Sequence, residues 1–246
     1  MNRIVKQKIN QGLILLIIVV AFTFALSIML KYKTEGETNM PFTLKKMIII
    51  SSAESDAKSD STGNLKWDFN INQYNDIYIE FEKNPNFKNE SYIKSITLEN
   101  FDFSEPTKGQ VMLYMPNPAE EKLFDYQDNL KIKDSLTFKG AETTNYKALN
   151  IANQGGTILF RAVNKGISEY QSNEDQEIAY DGTLLSKTNV NPEDLKFTLT
   201  FDIVIETENN KYRGTITKEL PYGDIEKEGV TKETIKDFDD VIFKRE

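Results

Sequence analysis

The residue types behind most enzyme chemistry are missing from this chain. Its 246 residues include no His and no Cys. Without imidazole there is no Ser–His–Asp triad; without thiols there is no thiolate nucleophile, disulfide or thiolate metal site. A Ser–Lys dyad needs neither. Two Ser-x-x-Lys matches occur, Ser55–Lys58 and Ser91–Lys94, but 13 Ser and 26 Lys supply that many by chance. The motif works on a helix, where residues three apart share a face. Ser55 falls in a loop-like stretch and Ser91 at the start of an expected strand, so neither reads as catalytic.

Two carboxylates flanking a sugar linkage would serve glycoside hydrolysis. Asp56 with Asp60, Glu174 with Asp175, and the group Asp237, Asp239 and Asp240 are the candidates. A chain with 38 acidic residues produces such pairs anyway, so solvated surface charge is the expectation. Calcium needs several oxygens at close quarters. Asp56, Asp60, Glu174 and Asp175 are the candidate ligands, with the 237–240 tail beside them. None of these runs has the EF-hand spacing. No catalytic residue and no cofactor is assigned. Exposed aromatics stack on sugars, and Tyr74, Tyr78, Tyr92, Tyr114, Tyr170 and Tyr180 are candidates, although Tyr is also a common strand residue. The lone Trp67 alternates with Phe69 and Ile71 and reads as core.

The element that positions everything else is the apolar run Leu13–Leu30, 18 residues without a charge. As a helix it spans ~27 Å, about the hydrocarbon core of a bilayer. Ala25-Leu26-Ser27 offers a signal-peptidase-like site, but the run exceeds the ~7–15 residues of a signal h-region, so an uncleaved anchor is expected. Basic residues before the run (Arg3, Lys6, Lys8) and after it (Lys31, Lys33, Lys45, Lys46) nearly tie. A basic start leading straight into an apolar run reads as an export signal, which places the N-terminus inside and the domain outside. The five basic residues before position 34 meet no acid there, so the remainder carries a charge of −13. A surface of that sign makes a poor nucleic-acid binder. The abundance of Lys, Ile and Asn points to an AT-rich genome, such as that of a low-GC Gram-positive bacterium.

After a polar stalk at 31–41, strand patterns follow one another. They cover Phe42–Ser51, Lys66–Asn72, Asp76–Glu82, Tyr92–Phe101, Gln110–Met115, Leu130–Phe138 and Thr157–Val163. The clearest hairpin joins Leu195–Thr207 to Lys211–Leu220. A two-residue Asn209-Asn210 turn would pair Glu208 with Lys211, Glu206 with Arg213 and Ile203 with Ile216. Residues 52–64 read as a loop. Asn117-Pro118 and Asn191-Pro192 read as helix starts. Residues 231–240 read as a short helix or an extended tail. Many short strands with polar turns predict a single antiparallel β-sandwich of eight to ten strands over 42–220, immunoglobulin-like or jelly-roll-like, with an acidic extension at 221–246.

Two envelope motifs fall short. Leu220-Pro221-Tyr222-Gly223 lacks the rest of a sortase signal. Gln11-Gly12 resembles a pilin leader, but Ile17 stands where major pilins carry Glu, and Gly36 and Pro41 interrupt the helical extension. The segments INQGLILL (9–16), MPFTLKKMIIISSA (40–53), NQYNDIYIEFEKN (72–84) and NQGGTILFRA (153–162) resemble uncharacterised single-pass membrane-anchored proteins of clostridia-like bacteria. That group carries no known function, so the resemblance implies location and source, and no residue role. The expectation is a non-enzymatic protein of the cell membrane, anchored in the bilayer through residues 13–30. Its extracytoplasmic β domain would bind an envelope protein or a wall polymer. A carboxylate-based carbohydrate-active enzyme and a pilus-associated subunit are the alternatives.

Overall fold

The computed structural model describes residues 3–57, 67–118, 122–142, 148–172 and 183–246. The apolar run lies within one helix, α1 (Arg3–Glu35). Its Val and Ile content is not what favours a helix in water. Being apolar on every face, it has no stripe to lay on a core, and its side chains from Gln11 onward are exposed. A helix satisfies all of its own backbone groups, which hydrocarbon demands. It stops at Gly36, whose φ of +71° is a left-handed cap, with the Gly36 N–H donating to the Tyr32 carbonyl at 2.9 Å.

Eleven strands follow among the described residues. They are β1 (Phe42–Ala57), β2 (Trp67–Lys83), β3 (Ile93–Phe103), β4 (Gln110–Tyr114), β5 (Ser135–Ala141), β6 (Asn150–Ala152), β7 (Gly156–Ser172), β8 (Phe197–Thr207), β9 (Lys211–Leu220), β10 (Val230–Ile235) and β11 (Lys244–Arg245). One sheet has the order β10-β1-β2-β7-β4 and the other β11-β9-β8-β3-β5-β6. Pairing is antiparallel except between β5 and β6. The protein is a mainly β, two-sheet sandwich preceded by one apolar helix. Period-two alternation fills the space between the sheets: Met47, Ile49, Ile77, Ile79 and Phe160 from one, Leu98, Phe138, Phe201 and Ile203 from the other. Phe160 meets Phe201 edge-on at 5.3 Å and so ties the two sheets together.

A buried polar layer separates this main core from a smaller one. Ser51 donates to Asn75 Oδ1 at 2.7 Å, and Gln73 Nε2 donates to the same oxygen at 2.8 Å. The Tyr222 N–H donates to Ser51 Oγ at 2.9 Å. Beyond this layer Ala53, Ile71, Ile167 and Leu195 pack with Leu184 and Leu185 of α2 (Thr183–Lys187) and Ile225 of α3 (Ile225–Glu228).

Several boundaries differ from the sequence reading. Strand β1 continues through 52–57, because Ser51, Ser52 and Ala53 are buried under the second core. Leu130 belongs to a 3₁₀ turn, and β5 starts only at Ser135. Asn191 does start a 3₁₀ turn, its side chain accepting the Glu193 N–H at 3.2 Å. The helix expected after Asn117 does not form in its described part: Pro118 and residues 122–124 are irregular, and residues 119–121 lie outside the described residues, as does the side chain of Trp67. The hairpin is shifted by two: Glu206 faces Lys211, Val204 faces Arg213 and Phe201 faces Ile216. Its loop has four residues, closed by Thr207, whose Oγ1 accepts the Asn210 N–H at 3.2 Å. Neither Asn209 nor Asn210 has a positive φ. A shift of two keeps every side chain on its face, which is why hydrophobic alternation alone did not detect it.

The largest correction concerns the two ends. Residues 31–41 are not a loose stalk, since α1 runs to Glu35 and Met40 and Pro41 are buried. Residues 221–246 are not an extension beyond the sandwich. Strand β10 pairs with β1 over Met47–Ser52, β11 pairs with β9, and Phe243 joins the main core. Gly214 makes room for that ring: a Cβ there would lie 2.9 Å from it.

Candidate functional site

The outer face of the five-stranded sheet carries the densest chemistry. Because Ile77, Ile79 and Phe160 point inward, their neighbours point out. Register places Thr234, Ile48, Tyr78 and Leu159 in one cross-strand row, and Lys232, Ile50, Asp76, Arg161 and Tyr114 in the next. Residues 122–132 fold back over one side of this face. They are held by the Met115 N–H to the Leu130 carbonyl and the Ile132 N–H to the Leu113 carbonyl, both at 2.9 Å. This flap sets Phe124, Tyr126 and Leu130 on Tyr74, Tyr114 and Val163.

Arg161 sits at the centre of that cluster. Its Nε and Nη2 donate to the two oxygens of Asp76, the second at 2.7 Å, and Nη1 donates to Tyr126 Oη at 2.6 Å. The guanidinium lies over Phe124 at 4.4 Å and Tyr74 at 5.1 Å. Lys165 Nζ lies 5.0 Å from the Tyr114 ring centre. Burial works against the Arg161 charge, but the Asp76 hydrogen bonds and charge outweigh it and hold Arg161 above its usual range. Burial pushes the Tyr126 phenol up, with the Arg161 charge opposing. An aromatic cage of this kind binds cations. Here the chain's own cation fills it and fastens the flap to the sheet.

Beside the flap the face stays open. A hollow of about 200 Å³ is lined by Lys46, Ile48, Tyr78, Glu80 and Thr157. Glu80 accepts from Lys45 at 2.8 Å and Lys46 at 2.9 Å. Those hydrogen bonds, Lys45 first, hold its carboxyl below the ordinary range. Burial pushes the Tyr78 phenol up, and the Asp76 charge adds to this. The hollow therefore offers a half-buried apolar and phenolic floor between fixed charges of both signs.

The opposite sheet carries a second charge hub. Arg213 reaches Glu99 at 2.7 Å, Asp202 at 2.9 Å and Glu246 at 2.5 Å. Burial alone would raise the Asp202 carboxyl. Hydrogen bonds from Thr215, Asn100 and Arg213 more than offset this and leave it lowered.

The sequence candidates that are described are not brought together into one site. Ser55 lies in β1 and Lys58 outside the described residues; Ser91 precedes β3 and Lys94 lies exposed within it, so neither pair shares a helix. The side chains of Asp56, Asp60, Glu174 and Asp175 lie outside the described residues. The Asp237 side chain accepts the Asp239 N–H at 3.0 Å, and Asp240 faces Lys218 at 3.7 Å, so both serve the tail's own structure. Among the described residues no group of three or more acidic side chains is placed to hold a metal ion. A groove of about 530 Å³ does bring Glu142 and Glu208 to one lining with Tyr92 and Lys94. Tyr74 and Tyr114 are interior, which removes them as sugar platforms, and Tyr180 lies outside the described residues.

Sequence reasoning passed over Arg161 and took Arg213 only as a hairpin partner of Glu206. One signal was present: only four Arg stand against 26 Lys. In so Lys-rich a chain, an Arg within a strand marks a place where a planar fork is needed. The fold and the face together define a two-sheet β domain preceded by an apolar helix, with an open outer sheet face beside the flap. No protein-family model, no curated protein and no solved structure matches the chain.

Proposed function

We propose that this is a non-enzymatic membrane-anchored protein of a Gram-positive-type cell envelope, with its N-terminus inside and its β domain outside. The domain binds an envelope protein or a wall polymer. The observation that carries this reading is the pairing of a fully exposed apolar helix with a sandwich whose outer sheet face is left open beside the flap. The displaced carboxyls support binding over catalysis. Glu80, Asp128 and Asp202 are all shifted downward by ion pairs or hydrogen bonds, the opposite of what a general acid needs.

The test is crosslinking in intact cells from a photoreactive residue at Ile48 or Thr157, followed by mass spectrometry. A discrete adduct that disappears with Tyr78→Ala supports the reading. Adducts equal to those from a probe at Thr137, on the far sheet, overturn the binding face. An alkaline phosphatase fusion after residue 246 tests orientation: activity is expected, and an inactive fusion beside an active cytoplasmic reporter refutes it. The carbohydrate-active alternative rests on Glu142 and Glu208 sharing the 530 Å³ groove. Release of reducing sugars from purified wall, abolished by Glu142→Gln, would favour it.

A further inference from the structure

The end of α1 is built into the sandwich, and this fixes where the sandwich lies. The Glu37 N–H donates to the Phe243 carbonyl at 2.7 Å, and the Arg245 N–H donates to Tyr32 Oη at 2.8 Å. Arg245 also pairs with Glu37 at 3.1 Å. Gly36 is pressed so closely on Phe243 and Ile242 that a Cβ would collide with the Phe243 carbonyl oxygen. Phe243 is anchored in turn over Gly214, and the Glu246 N–H donates to the Lys211 carbonyl at 3.0 Å. The last residues of the chain therefore clamp the last turn of α1 to the six-stranded sheet.

The distance to the apolar run is short. Gly36 lies six residues beyond Leu30, ~9 Å along a helix. Tyr32, which holds Arg245, is only ~3 Å beyond it. The headgroup layer on each side of a bilayer is roughly 5–8 Å thick. Beside this joint Ile242 is 38% exposed, although Val241 and Phe243 on either side turn toward the core. Lys33 and Lys244 stand exposed nearby, with Asp239, Asp240 and Glu246 as the opposing charges. A cleft of about 340 Å³ opens at the same corner, lined among others by Glu35, Met40, Lys236 and Phe238.

We infer that this corner of the sandwich, with Ile242 at its tip, is seated in the lipid headgroup layer, so that the bilayer surface is a second partner of the domain and sets its orientation. The inference rests on reading α1 as a membrane anchor. Tyr32 and Ile242 supply the amphipathic and apolar contacts of an interfacial site, and Lys33 and Lys244 supply charge for lipid phosphate. The opposite end of the sandwich lies far from this corner. Leu185 packs against Ala53, eleven residues along β1 from Phe42, which is ~36 Å of strand.

The absence of Cys makes the test direct, because any introduced thiol is unique. Full-length Ile242→Cys, Phe22→Cys and Ser186→Cys are labelled with an environment-sensitive fluorophore and reconstituted into phosphatidylcholine–phosphatidylglycerol vesicles. Nitroxide lipids labelled at the headgroup or deep in the acyl chain are the quenchers. Headgroup nitroxide is expected to quench residue 242 several-fold more than residue 186, and deep nitroxide to quench residue 22. Quenching at 22 with equal, weak quenching at 242 and 186 overturns the seating and leaves the anchor standing. No quenching at 22 overturns the anchor, and the seating with it. Circular dichroism of each variant checks that the sandwich is intact.

Discussion

Consider what happens when Asp76 becomes Asn. The side chain keeps its shape but loses its charge, and Arg161 stays in the aromatic cluster without a counterion. Breaking a buried pair by removing one partner costs ~3–5 kcal/mol. Here the two side chains retain 15% and 17% of their exposure, so water recovers part of this, and about 2–3 kcal/mol is expected. Arg161→Met should cost more, about 3–5 kcal/mol, because it also removes the Tyr126 hydrogen bond and the contact over Phe124. The double variant leaves no unpaired charge. It should cost less than the sum of the singles by about 2 kcal/mol. The assay is urea unfolding of the full chain in detergent micelles, followed by the sheet signal in circular dichroism. With a slope of ~2–3 kcal/mol per molar, Asp76→Asn moves the midpoint by roughly 1 M and Arg161→Met by about 1.5–2 M. Two outcomes refute the reasoning: singles costing under ~1 kcal/mol, or a double variant additive within ~0.5 kcal/mol. Either would mean that the flap is held by its apolar contacts alone.

Three further expectations follow from other joints. Gly36→Ala places a Cβ at φ +71° against the Phe243 carbonyl; a loss of at least about 1 kcal/mol in the same unfolding assay is expected, and an unchanged midpoint would contradict the clamp. Ser51→Ala removes the acceptor of the part-buried Tyr222 N–H and a donor to the buried Asn75 Oδ1, and should cost about 1–3 kcal/mol; a neutral substitution would show that water or a rearranged side chain serves those groups. Because the Asp202 carboxyl is lowered on folding, the stability it contributes is complete above the unfolded value near pH 4 and is lost as pH falls through the lower folded value. Carboxyl titration by NMR should show Asp202 protonating below ordinary Asp, and Asp202→Asn should flatten the acid arm of the stability profile. A normal titration would refute the assignment.

The sequence was most legible where one physical signal acted alone. The apolar run needed only its length and lack of charge. The inward faces of β2 and β8 needed only period two, and Ile77, Ile79, Phe201 and Ile203 are buried as that pattern requires. Register was not legible, because a slip of two residues leaves hydrophobic alternation unchanged. Thr207, rather than the Asn pair beside it, closes the loop. The C-terminal region misled for a related reason. Residues 230–235 carry charged residues because they form an edge strand, where one side meets solvent and Lys discourages further pairing. The open face and the Arg161 cluster depend on strands far apart in sequence, β2, β4 and β7, and on a flap with no regular pattern. Nothing local in the sequence announces such a meeting.

The clamp between Tyr32, Glu37 and the final residues also bears on how the molecule is made. Strand β1 finds its outer neighbour in β10, almost two hundred residues later, and β11 comes later still. Neither the edge of the first sheet nor the joint to the helix can form until residues 230–246 have been made. A nascent chain thus has its helix and most of its strands while the joint between them is still open. Truncation after residue 235 would leave a largely paired sandwich hinged loosely on its helix, and residues 236–246 turn that hinge into a fixed joint.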